Sequence, residues 1–128
     1  MNQITEEWVR KAEEDRNSAV KEWDSSEPSY NNICFHCQQC VEKYFKALLQ
    51  EQGKIPPRIH DLVKLMDQLS EKEKGKFNAY REGLGGITTA SSAYRYPGGV
   101  DATQALTWEQ IDLMNKVRDI ARESLGLK

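Results

Sequence analysis

The sequence predicts an all-α protein, an up-and-down antiparallel bundle of four to five helices forming one domain over residues 1–128. Three observations predict it. Apolar residues recur at helical spacing along most of the chain. No segment alternates as a strand does. The stretches between helical runs are short and hold Pro, Gly, Ser and Asn. A chain of 128 residues buries a core without disulfides or a structural metal. Charged residues make up 30% against 38% apolar, but the periodicity excludes disorder. With 18 Lys+Arg against 20 Asp+Glu, the chain lacks the basic excess that coats duplex DNA by charge alone, although a local basic stripe is compatible with these totals. The acidic start, MNQITEEWVRKAEED, reads as neither signal peptide nor anchor, and no run approaches the ~18 apolar residues that span a bilayer. Three Cys, an odd number crowded between Cys34 and Cys40, do not make a disulfide framework and point to a reducing, cytoplasmic compartment.

The first helix is predicted from about Gln3 to Trp23, with Ile4, Trp8, Ala12, Asp15, Ala19 and Trp23 on one face. Asp15 is an acid inside an apolar stripe. Burial of a carboxylate demands partners, so it reads as a hydrogen-bond hub, with Tyr44 and the Arg95 loop as candidate partners, the alternative being a site acid. After a break at DSSEPSYN, the second helix is predicted from near Ser29 to just before Gly53. Ile33, Cys37, Val41, Tyr44 and Leu48 form one apolar face and Phe35, Phe45 and Leu49 an adjacent one. Together they wrap about 200°, twice what a peripheral helix needs, so this helix is central or shares a face with another chain. Its remaining side carries His36, Gln39, Lys43, Lys46 and Gln50 in one polar line.

Pro56-Pro57 makes a stiff connection. A short third helix follows, with Leu62, Leu65, Met66 and Leu69 inward and His60 or Asp61 as its cap. Ser70 to Glu73 reads as a capping box opening a fourth helix whose core face is Phe77, Tyr80, Leu84 and Ile87, weakened by Gly83, Gly85 and Gly86. TTASSAYRYPGGVD is predicted as a loop, with Tyr94-Arg95-Tyr96 placing a cation between two aromatics. Asp101 with Gln104 is predicted to cap the last helix, which carries Leu106, Leu113, Val117, Ile120 and Ala121.

Cys34, Cys37 and Cys40 spread over about 120° of one helix and so do not converge on a metal; they read as packing residues, and no metal or cofactor is predicted. A His36–Cys40 nucleophile lacks an electropositive setting and an oxyanion hole. Phosphate-loop, dinucleotide, zinc-protease and EF-hand motifs are absent. The constellation that remains is His36, Lys43 and Lys46 with Tyr94, Arg95 and Tyr96; it reads either as phosphate-directed, where Arg offers a planar fork, Lys a point charge and Tyr a stacking face, or as an ordinary solvated helix face beside a tyrosine-anchored loop.

The run Phe35-His36-Cys37-Gln38-Gln39-Cys40-Val41-Glu42-Lys43-Tyr44-Phe45-Lys46-Ala47-Leu48-Leu49 resembles the signature helix of HEPN domain proteins. Trp8, Ala12 and Asp15 before it, Pro56-Pro57-Arg58-Ile59-His60-Asp61-Leu62 after it, and Tyr94-Arg95-Tyr96-Pro97 resemble further family pieces in the same order. The resemblance implies a helical bundle of the small stand-alone prokaryotic type, commonly a homodimer. It also implies association with nucleotides or RNA, and pairing with a minimal nucleotidyltransferase in toxin–antitoxin-like modules. Some HEPN domains are metal-independent RNases with an Arg followed, four to six residues on, by a His. Here the only His residues are His36 and His60, and none follows Arg95, Arg118 or Arg122. The resemblance therefore carries over the fold and the nucleotide association but no catalytic residue, and His60 and Asp61 are expected, with Asp15, in structural polar roles. A pure protein-interaction bundle and a divergent RNase using His36 or His60 are the alternatives.

Overall fold

A computed structural model describes residues 1–128, all of them outside strands. Helix α1 spans Gln3–Trp23, and Asn2 caps it by accepting from the Thr5 amide. Helix α2 spans Tyr30–Glu51 with Ser29 as its cap, and ends where Gly53 adopts φ 80° and the Lys54 amide reaches back to the Leu49 carbonyl. The short helices α3 (Leu62–Asp67) and α4 (Glu71–Gly75) follow, then a 3-10 turn at Asn78–Tyr80, α5 (Arg81–Ala93) and α6 (Gln104–Ser124). Glu13 meets Tyr44 and Asp15 meets Lys43, so α1 and α2 run antiparallel. Cys34 meets Thr107 and Tyr44 meets Arg122, so α2 and α6 run in the same direction. Phe77, ahead of α5, meets Phe45 and Arg95, past its end, meets Phe35, so α5 runs antiparallel to α2 and the long helices alternate up and down.

The wide apolar arc of α2 is accounted for within one chain. Ile33, Cys37, Val41, Tyr44, Phe45, Leu48 and Leu49 are buried against α1, α3, α5 and α6, making α2 the central helix. Phe45 and Phe77 meet edge to face at 5.1 Å. Phe35, expected in the second apolar face, is only half-buried.

Four expectations are corrected. The buried face of α1 is Thr5, Val9, Ala12, Asp15 and Ala19, while Ile4 is exposed and Trp8 and Trp23 are half-buried. Small residues let α1 lie close on α2, and the indoles fit only along the edges of that seam; Trp23 packs beside Tyr30 and Trp108. The Ser70 cap opens only the five residues of α4: the Ser70 hydroxyl accepts from the Glu73 amide, but its own amide donates to the Gln52 side chain instead of Glu73. The helix through the three glycines starts at Arg81, leaving Tyr80 in the turn before it, and runs on to Ala93 through residues expected in a loop. Leu84, Ile87 and Ser91 bury one stripe of it, and packing overrides the weak helix propensity of Gly and Thr. At Gly83 a Cβ would lie 2.8 Å from Leu113 Cδ2, so this glycine permits the approach of α5 to α6. Finally, Thr103 rather than Asp101 caps α6, accepting from the Leu106 amide, while Asp101 accepts from the Asn31 side chain. The inward face of α6 is Thr107, Gln110, Ile111, Met114, Val117 and Ala121; Leu106, Leu113 and Ile120 are half-buried. No helix is long and apolar enough to cross a membrane.

Candidate functional site

Charged side chains of α2 are matched by carboxylates along the bundle seams. Asp15, buried on α1, accepts from His36 Nδ1 at 2.9 Å and from Lys43 Nζ at 2.5 Å. The hub expected at Asp15 is therefore present, with partners other than Tyr44 and the Arg95 loop. Tyr44 instead donates to Glu13 at 2.5 Å, and Glu13 also accepts two bonds of 2.7 Å from Arg118, one from Nε and one from the fork. Burial pushes the Glu13 carboxyl up, but the hydrogen bonds from Arg118 and Tyr44 and the charges of Arg118 and Arg122 outweigh it and hold the group below the usual glutamate range. Burial, then the hydrogen bond to Glu13, raises the Tyr44 hydroxyl. Lys46 is 7% exposed, bonds Glu42 at 3.0 Å and lies 5.6 Å from the Trp8 ring centre. The other Glu42 oxygen takes His60 Nδ1 at 2.9 Å. An ionised carboxylate only accepts, so Nδ1–H donates in both His pairs and Nε2 of each ring has no protein partner.

The predicted polar line of α2 is thus divided: His36 and Lys43 face α1 through Asp15 and Lys46 is covered by Trp8, also of α1, while Gln39 turns toward α5. The three thiols are fully buried, and burial is the main influence raising them, so they remain protonated.

A polar cleft of about 250 Å³ opens where α2, the end of α5 and the connection before α3 meet. His60, Arg95 and Tyr96 line it, so the structure brings these three predicted residues together, and Asp61 lies beside His60 while capping α3. Arg95 is exposed and its guanidinium sits 4.5 Å from the Phe35 ring centre, with no carboxylate on its donors. Tyr96 is 65% exposed. Tyr94 is the residue after α5, and burial raises its hydroxyl. From α2 the cleft receives Gln39, a member of the predicted polar line, and Gln38, and from α5 Thr88, Ser91 and Ser92; the last four are not singled out by sequence reasoning as site residues. Gln38 is 3% exposed; its Nε2 donates to the His60 carbonyl at 2.8 Å and its Oε1 has no partner. The sequence signal for it was the Gln38/Glu42 spacing of one helical turn beside the His60 connection. Ser91 and Ser92 lie in a segment whose sequence reads as a loop, and the helix that turns them toward the cleft forms only by packing.

This arrangement offers a fixed neutral floor of amides and hydroxyls, a guanidinium free to take an anion, an aromatic face and an oriented imidazole. A family model described as the HEPN domain matches residues 5–124. No curated protein matches the chain, and no solved structure does.

Proposed function

The chain belongs to the HEPN domain family, and from that premise we propose that it is a non-enzymatic module that binds nucleotide in the cleft between α2 and α5. The observation that carries this reading is the convergence of His60, Arg95 and Tyr96 on one polar cleft with the guanidinium unpaired. A guanidinium with no carboxylate partner takes a phosphate by two parallel bonds, and the tyrosine offers a face for a base or sugar. His36, Lys43, Lys46 and Tyr94, which the sequence places in the same site, lie outside the lining of this cleft, and the first three are paired with Asp15 or Glu42, so the reading rests on His60, Arg95 and Tyr96. The module works in the cytoplasm as a homodimer of the small stand-alone prokaryotic type. Its protein partner is a minimal nucleotidyltransferase, in a toxin–antitoxin-like pair. These assignments of partner and assembly rest on the family resemblance of the α2 signature and the Tyr94–Pro97 segment. The test is calorimetric titration with ATP and GTP of the wild type and of Arg95→Ala. Saturable heat in the first and a clear loss in the second supports the reading, and no heat in either favours a pure interaction bundle.

A second reading, a divergent RNase, has one observation in its favour. Glu42 orients His60, leaving Nε2 free beside Arg95, as a general base for a ribose hydroxyl requires. Cleavage of total tRNA or mRNA that disappears in His60→Ala, but persists in His36→Ala, would establish it. Intact RNA after prolonged incubation removes it.

A further inference from the structure

The cleft is polarised along its depth. Its floor holds Gln38, Gln39 and Ser91, all uncharged, and Gln38 Oε1 is a buried acceptor with no donor. Its cation, Arg95, stands at the exposed rim with Tyr96. Asp61 adds a carboxylate to the lining, and an anion beside it is disfavoured. A phosphate therefore belongs at the Arg95 rim, while the floor matches an uncharged group that presents N–H or O–H donors. A volume of about 250 Å³ is small for a ligand pocket and holds one nucleoside.

We infer that the cleft takes a single nucleoside 5′-monophosphate with the base inward and the phosphate outward: a base N–H donates to Gln38 Oε1, and Arg95 holds the phosphate. This deepens the nucleotide-binding reading and rests on it. The triphosphate tail of ATP or GTP would extend past Arg95 into solvent, so the monophosphate carries nearly all of the affinity.

The inference is tested with the intact chain by titrating nucleosides, nucleoside 5′-monophosphates, ribose 5-phosphate and inorganic phosphate, monitoring circular dichroism for each variant. The monophosphates are expected to bind about ten-fold more tightly than nucleosides, and ribose 5-phosphate and inorganic phosphate at least ten-fold more weakly than the monophosphates. Arg95→Ala should bring monophosphate binding down to the nucleoside level and leave nucleoside binding unchanged. Gln38→Met should weaken nucleosides and monophosphates alike by about ten-fold. Because Gln38 also holds the His60 carbonyl, a second variant fills the floor from a different helix: Ser91→Leu should abolish both. Ribose 5-phosphate binding as tightly as the monophosphates, or full monophosphate binding by a folded Ser91→Leu, overturns the base-inward arrangement and leaves nucleotide binding itself intact. Absence of binding by every nucleotide to the wild type overturns both.

Discussion

Single side chains divide into those that hold helices together and those left free to act. Asp15 is of the first kind. Its oxygens receive His36 and Lys43, so Asp15→Ala strands two donors on α2 and is expected to lower stability by about 1–3 kcal/mol in urea unfolding. An unchanged midpoint would mean that water replaces the carboxylate without loss. Glu13 gives the same seam its acid sensitivity. Its folded pKa is depressed, so its contribution is complete above the unfolded value and is lost as pH falls through the carboxylate range, below about pH 4. The stability difference between wild type and Glu13→Gln is therefore expected to be largest near neutrality and to shrink toward pH 3, followed by urea midpoints at each pH. Arg95 is of the second kind: it stacks on Phe35 and its donors stay open. Lys43 and Lys46 look alike in sequence, but the structure gives each a carboxylate, and pairing of that kind sets how much charge remains for a ligand.

Among the helices, α5 shows how packing decides against propensity. Three glycines and two threonines argue against a helix, yet burial of Leu84, Ile87 and Ser91 on α2 and α3 makes one. Its glycines are not equivalent. Gly83 faces Leu113, whereas a Cβ on Gly86 meets no atom within 4 Å and the backbone there is ordinary helix. Gly86→Ala is accordingly expected to stabilise the fold by about 0.5–1 kcal/mol, read as a raised urea midpoint. A loss would show that the open space above Gly86 is needed by a second chain. The helix ends were partly legible: Ser29, Asp61 and Gly53 act as the sequence predicts, whereas Ser70 caps only the short α4 and not the helix that carries Leu84 and Ile87. Thr103 displaced Asp101 at α6 because Asn31 on α2 engages Asp101 through its amide and holds the neighbouring Ala102 backbone through its oxygen, a tertiary contact invisible in local spacing.

For the whole molecule, the central place of α2 removes one argument for a dimer and leaves the family's. Its apolar arc is covered by α1, α3, α5 and α6, so a dimer must use other surface, such as the exposed Trp108 and Val100. Sedimentation equilibrium at tens of micromolar is expected to give twice the 14.7 kDa chain mass, with Trp108→Glu shifting it toward the monomer. A 14.7 kDa species throughout would end the homodimer proposal. The sequence by itself determined the helical class, the bundle, the burial of α2 and the family, because these follow from a period of 3.6 residues, from the width of an apolar face and from an ordered set of motifs. Only the tertiary structure decided which charges are free. Lys43 and Lys46 are bound to Asp15 and Glu42, and Gln38, Ser91 and Arg95 meet in one cleft, though they lie on two helices and a loop far apart in the chain. Periodicity reports which side of its own helix a residue occupies, whereas the partner across a seam depends on how neighbouring helices are rotated and shifted against one another, and small side chains such as Ala12 and Gly83 set that through close packing.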